Sequence, residues 1–231
     1  MNKCSMNKGE ICCQELVKTY NPGTQTEFTA LKSINLTISE GDFVSIAGPS
    51  GSGKSTLLNM ISCLDSPTAG EVYIEGMGIS TLNDFEKAKL RREKLGFVFQ
   101  QFNLIPNMTT YENIELPMRF KGTPASERKK RVNELLNLVG LEDKPRNKPS
   151  ELSGGQQQRV AVARSLANNP KIILADEPTG NLDSATGKMI IDLLRKLNKE
   201  EKMTLVIVTH DPGIAKIAHK TVRIQDGKIV A

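Results

Sequence analysis

The chain has 231 residues, 38% of them hydrophobic, with 31 Lys and Arg against 26 Asp and Glu for a net charge of +5. That length supports one large domain or two small ones. Aromatic residues make up only 4%, too few for a base-stacking platform, and no apolar run approaches the roughly 18 residues of a membrane span. The densest basic run, Glu127-Arg128-Lys129-Lys130-Arg131, opens an amphipathic helix and reads as its solvated face. No nucleic-acid partner is expected.

Met1 to Glu10 is polar and Lys-bearing without an apolar core, unlike a secretion signal. We read residues 1–10 as a flexible tail and 11–231 as one domain. Ile11–Val17 reads as a strand. Asn21-Pro22-Gly23 breaks the chain, and Ala30–Ile38 alternates as a second strand. Phe43–Ala47 is a short buried strand. A helix opens at Thr56 and ends near Ser66-Pro67, and Glu71–Ile74 is another strand. Gly96–Phe99 is a buried strand. From there the pattern turns helical, with Val132, Leu135, Leu136 and Val139 at helical spacing. This predicts a helical insertion over about 102–158. Strands return at Ile172–Ala175, Leu205–Val208 and Val222–Ile224, with a helix over Gly187–Leu197 and a turn at Asp226-Gly227. Alternating strands and helices predict an α/β fold: a mostly parallel sheet, a small antiparallel β subdomain and an inserted α-helical subdomain. Cys4, Cys12, Cys13 and Cys63 form no C-x-x-C pair, and His210 and His219 lie far from them. The spacing argues against zinc and for reduced cysteines.

Between the Phe43–Ala47 strand and its helix stands Gly48-Pro49-Ser50-Gly51-Ser52-Gly53-Lys54-Ser55. It fits G-x-x-x-x-G-K-[ST], the phosphate-binding loop of nucleoside triphosphatases. Glycines let successive N–H groups turn inward around phosphates. Lys54 reaches the β- and γ-phosphates as a point charge, and the Ser55 hydroxyl serves Mg²⁺. Thr56 follows at the helix start, where the dipole favours an anion. A phosphate loop calls for a second metal-binding group. Asp176 ends an apolar strand and can hold Mg²⁺ beside Ser55. Glu177 follows it, placed to polarise an attacking water. Leu152-Ser153-Gly154-Gly155-Gln156 precedes a helix-prone run. Ser153 can cap that helix, whose open N–H groups form a second anion-seeking start.

In order and spacing these stations resemble the ATP-binding subunits of ABC transporters, over essentially the whole chain from Ile11. Leu152–Gln156 matches that family's signature. Gln100 matches its Q-loop glutamine, Asn181-Leu182-Asp183 its D-loop and His210 its H-loop histidine. Tyr20 falls where the family stacks an aromatic on adenine. The resemblance implies an ATPase using ATP and Mg²⁺. It implies a head-to-tail homodimer in which each nucleotide lies between Gly48–Thr56 of one chain and Ser153, Gly154, Gly155 and Gln156 of the other, with Asp183 nearby. His210 then faces the γ-phosphate, and Gln100 joins metal and water to a membrane partner. Asn59–Asp65, Phe102–Pro106 and Ala175–Ser184 are similar to the branch for macrolide export, lipoprotein release and antimicrobial-peptide export. Such a subunit works on the cytoplasmic face of the membrane through a separate membrane subunit. Phe102, Leu104 and Ile105 are expected to offer that partner an apolar surface. The alternative is a soluble ABC-type ATPase acting on ribosomes or DNA. The single loop and single signature favour the transporter subunit. No N-K-x-D guanine-reading motif follows Asn147-Lys148 or Asn198-Lys199.

Overall fold

The computed structural model describes residues 10–230. The flexible tail expected over residues 1–10 lies outside the described residues except for Glu10. That residue is buried, and its carbonyl accepts from the Glu75 amide at 3.0 Å.

Two sheets share the work. A four-stranded antiparallel sheet has the order β2-β1-β4-β5, with β1 at Ile11–Tyr20, β2 at Phe28–Ile38, β4 at Ala69–Ile74 and β5 at Met77–Gly78. A six-stranded sheet has the order β10-β9-β3-β8-β7-β6. Its strands are β3 (Phe43–Ala47), β6 (Leu95–Phe99), β7 (Ile172–Asp176), β8 (Thr204–Val208), β9 (Lys220–Gln225) and β10 (Lys228–Val230). All pairs in it are parallel except β9 with β10. Apart from Asp176 at the end of β7 and Thr204 at the start of β8, both strands are apolar, because helices cover both faces of a parallel sheet. The β1 strand carries register shifts between Cys13 and Thr19, which carry it past its expected end at Val17 to Tyr20. The β2 strand begins two residues before the expected Ala30, at Phe28.

Helix α1 (Lys54–Ile61) turns Leu57, Leu58, Met60 and Ile61 into the core between the two sheets. Helices α3 (Thr110–Lys121), α4 (Ala125–Leu138) and α5 (Gly154–Ser165) form the helical layer. Ile114, Met118, Val132, Leu135, Val160 and Val162 join Ile173 and Ile207 in a second core there. Helix α6 (Ser184–Glu201) is longer than the expected 187–197, because Asp183 caps it through the amides of Ala185 and Thr186. Helix α7 (Pro212–Ile217) precedes β9. Helix α2 (Asp84–Lys94) has no counterpart in the periodicity, since Leu90 is its one buried residue. An Asn83/Glu86 capping box starts it. Cys13 and Cys63 are buried free thiols. Burial pushes Cys13 up to about 12 and Cys63 up to about 11. Cys12 is disulfide-bonded, which corrects the expectation of reduced cysteines at that residue.

One buried amide holds the entry to the helical layer. Asn113 on α3 is fully buried, and its Oδ1 accepts from the Ile105 amide at 2.8 Å. Its Nδ2 donates to the carbonyls of Ile105, Met108 and Thr109 at 3.0–3.2 Å. Asn113→Ala leaves these groups unpaired and should lower the unfolding free energy by about 2–4 kcal/mol in a urea titration. A loss under about 1 kcal/mol would show that the 102–108 segment is held by something else.

Candidate active site

The site grows from the loop between β3 and α1. Gly48, Gly51 and Gly53 take φ of 155°, 75° and 107°. Two of them also leave no room for a side chain. A Cβ on Gly48 would collide with the Ile224 carbonyl of β9, and one on Gly53 would lie 2.7 Å from the Ala30 carbonyl of β2. The glycines therefore press the loop backbone against both sheets at once. Lys54 Nζ folds back over the loop, donating to the carbonyls of Gly48 at 2.9 Å and Pro49 at 2.8 Å. Ser52 is turned inward and buried, with its Oγ unpaired, so this expected contact presents only backbone.

A cleft of about 490 Å³ opens over the loop, within the range of small-molecule sites. Its walls bring together Gly48, Pro49, Ser50, Gly51, Gly53, Lys54, Ser55 and Thr56 with Gln100, Asp176, Glu177 and His210. Gln100 follows β6, Asp176 ends β7 and His210 follows β8. Adjacent parallel strands thus deliver three expected residues to one edge of the sheet, where ligands collect in open α/β folds.

Ser55 stands with the half-buried Asp176 carboxylate in the wall of the cleft. Burial, then the charge of Glu177, raises the Asp176 carboxyl above its ordinary value, while Ser55 and Lys54 pull it back. A desolvated carboxylate beside a hydroxyl is a hard oxygen pair that suits Mg²⁺. Glu177 has a left-handed backbone, φ 46°, and its amide donates to the Val208 carbonyl at 2.9 Å. Its Oε1 lies 2.8 Å from His210 Nδ1. Gln100 is tied to the D-loop segment, its carbonyl accepting from Asn181 Nδ2 at 2.9 Å.

Other expected residues stand elsewhere. Ser153 caps α5 through a reciprocal box: Gln156 Oε1 accepts from the Ser153 amide at 2.9 Å, and Ser153 Oγ accepts from the Gln156 amide at 3.3 Å. None of Ser153, Gly154, Gly155, Gln156 and Asp183 lines the cleft of its own chain. The Asp183 carboxyl is held below its usual range by Thr186 and Ala185. Tyr20 does not line the cleft either. It pairs in register with Phe28, which does. Phe28, Ala30 and Val208 are the wall residues that the sequence reading missed. Phe28 carried a faint signal, an isolated aromatic closing a polar stretch.

A second cavity, of about 600 Å³, separates the β6 side of the core from the helical layer. Phe97, Phe99, Leu116 and the exposed Phe120 line it with Arg91 and Arg164. Arg164 reaches across it to the carbonyls of Phe102 at 2.8 Å and Asn103 at 2.6 Å. Leu104 is partly buried and packs against the helical-layer core.

The family model described as "ABC transporter" matches residues 31–180. An uncharacterised ABC transporter ATP-binding protein of Methanocaldococcus jannaschii, MJ0796, is 56% identical over 223 residues, 95% of this chain and 94% of that protein. The macrolide export ATP-binding/permease protein MacB of Brucella melitensis is 48% identical over 221 residues, 96% of this chain but 34% of that longer protein. A solved dimer of the MJ0796 cassette, in a post-hydrolysis state with ADP and Pi bound, superposes with a TM-score of 0.89 at 53% identity, covering 96% of this chain and 97% of that one. The chain belongs to the ABC transporter family, as an ATP-binding cassette.

Proposed function

We propose that this chain is the ATP-hydrolysing subunit of an ABC transporter and drives a separate membrane subunit by closing head to tail on a second copy of itself. One observation carries the reading. The cleft holds every group needed on one side of a nucleotide triphosphate, yet the chain's own signature start, Ser153–Gln156, lies outside it. Both features seek phosphate, and a second copy brings them together. The solved MJ0796 cassettes are described as dimers.

The chemistry follows from the groups in the cleft. Backbone N–H groups from Gly48 to Gly53 and Lys54 Nζ take the phosphates, the ammonium leaving the loop carbonyls to do so. Ser55, Asp176 and Gln100 would hold Mg²⁺. When bound, that ion supplies charge compensation on the phosphate oxygens. Glu177 takes the proton of the attacking water, and His210 orients its carboxylate. The exposed face of His210 can meet the γ-phosphate side. Asp183 lies near the junction of the two copies. Tyr20 and the Phe28 wall bracket the nucleoside end.

The groove between core and helical layer supports docking of an apolar segment of the membrane subunit. The Arg164 clamp on Phe102 and Asn103 ties that groove to Gln100. No helix of the described residues is long and apolar enough to cross a membrane. We place the chain on the cytoplasmic face, held there by its partner. The likeness to MacB supports export, or mechanical work of the same branch, on macrolide-, lipoprotein- or peptide-like cargo.

Two outcomes are expected of the purified chain. Glu177→Gln should keep ATP binding while cutting turnover by about 10²-fold or more, and a parental rate would remove Glu177 from the role of base. In that variant ATP should convert the monomer to a dimer in size-exclusion chromatography with light scattering, and ADP should not. A dimer formed equally with ADP would count against a site completed through the γ-phosphate.

A further inference from the structure

We infer that Gln158 is a positioning residue: from helix α5 it sets the turn that carries Glu177, so the helix bearing the signature start also governs where the base stands. The inference rests on the reading of Glu177 as the base and adds to it the residue that places it. Gln158 is fully buried on α5, in a stretch with Val160, Ala161 and Val162. Its Nε2 donates to the carbonyl of the buried Pro178 at 2.5 Å. Its Oε1 is buried too and has no partner among the described residues. A core amide with one end unpaired costs stability. Asn113, equally buried in the helical layer, spends both ends of its amide on backbone groups. Stability therefore does not account for Gln158, and what its one bond holds is the residue after Glu177.

That turn needs holding. Glu177 takes φ 46°, a left-handed backbone uncommon for any residue but glycine. A proline follows it, and the residue before a proline is pushed toward extended backbone. Such a conformation persists only where its neighbours over-determine it. Two bonds act at Glu177 itself: its amide donates to the Val208 carbonyl at 2.9 Å, and its carbonyl accepts from the Gly180 amide at 3.0 Å. The bond from Gln158 acts one peptide later. The ring of Pro178 already fixes its φ, so a hydrogen bond on its carbonyl fixes ψ as well. Strand β8 thus holds the turn from the sheet side and α5 from the helical side.

Ser153 caps the same helix. In the head-to-tail arrangement that start meets the phosphates of the second copy's nucleotide. Over so short a distance a helix moves as a unit, so a shift at Ser153 is passed through Gln158 to Pro178 and to Glu177 of the same chain. Gln158 does not line the cleft and acts only through the base. Its removal should leave closure on the second copy intact and slow the chemistry.

The test pairs Gln158→Met with Glu177→Gln in the full chain, singly and together. Met matches the length of Gln without its donor. It leaves the Pro178 carbonyl unpaired but also removes the unpaired Oε1, so the melting temperature should hold. In the otherwise parental chain kcat for ATP with Mg²⁺ should fall by about tenfold or more, with KM within about twofold. Added to Glu177→Gln, Gln158→Met should cost less than about a further twofold in single-turnover hydrolysis of labelled ATP, because the group it places is already gone. That double variant should still dimerise with ATP in light scattering. Gln158→Leu is a second apolar variant, to be used if Met disturbs the fold, and the same pattern is expected of it. An unchanged kcat, an equal fold-loss in both backgrounds, or loss of the ATP-dependent dimer would each overturn the inference. A parental rate in Glu177→Gln alone would instead overturn the reading of Glu177 as the base, and this inference with it.

Discussion

The structure depends on backbone meeting backbone at the phosphate loop. Gly48 touches the Ile224 carbonyl of the parallel sheet, and Gly53 lies against the Ala30 carbonyl of the antiparallel sheet. The turn Asp226-Gly227 closes the third side: its Gly227 amide donates to the Ser52 carbonyl at 3.0 Å, and its carbonyl accepts from Lys32 at 2.8 Å. Loop, both sheets and the β9–β10 turn are therefore one rigid body at that point. Neither sheet can shift without moving the amides that face the phosphates. A side chain larger than hydrogen at Gly48 has no place to go, so the geometry of the site is a consequence of the fold's tightest junction.

From that junction the other groups take their places by strand order. Strand β8 is the neighbour of β3 in the parallel sheet and β7 the next beyond it, and their ends set Asp176, Glu177 and His210 around Ser55. The left-handed backbone of Glu177 is held by the Val208 carbonyl of the adjacent strand. Helix α5 links this region to the rest. Its first turn presents Ser153. One turn later the buried Gln158 donates to the Pro178 carbonyl at 2.5 Å, next to Glu177. Its last turn carries Arg164 to the segment after Gln100. A displacement of α5 would be felt at the catalytic turn and at the groove together.

Much of this was legible because the decisive features are local. The loop, its strand and its helix need particular residue types in contiguous order, and Asp176 follows from an apolar strand that ends in a carboxylate. The signature start was legible as a capped helix, and the structure adds its reciprocal Ser153–Gln156 box. What escaped depends on space rather than spacing. Phe28 lies eight positions from Tyr20 at the end of a polar stretch, and only the antiparallel register of β1 and β2 brings the two side by side. Ser52 belongs to the motif yet faces inward, a direction that the motif cannot encode. Leu104, expected at a partner surface, also packs in part against the helical-layer core, a contact that one apolar residue in a loop does not reveal. Helix α2 has no apolar stripe, and its capping box was the one available sign. The disulfide at Cys12 could not be read from cysteine spacing.

The central claim is that each nucleotide is enclosed by the phosphate loop of one copy and the signature helix of another. Site-directed cross-linking tests it most directly. Ser50→Cys and Ser153→Cys are placed together in a Glu177→Gln chain whose four native cysteines are changed to serine. With ATP and Mg²⁺ under oxidising conditions, the account predicts a covalent dimer that needs both new cysteines and that ADP does not support. Absence of that dimer, or an equal yield from Ser153→Cys alone, would contradict it.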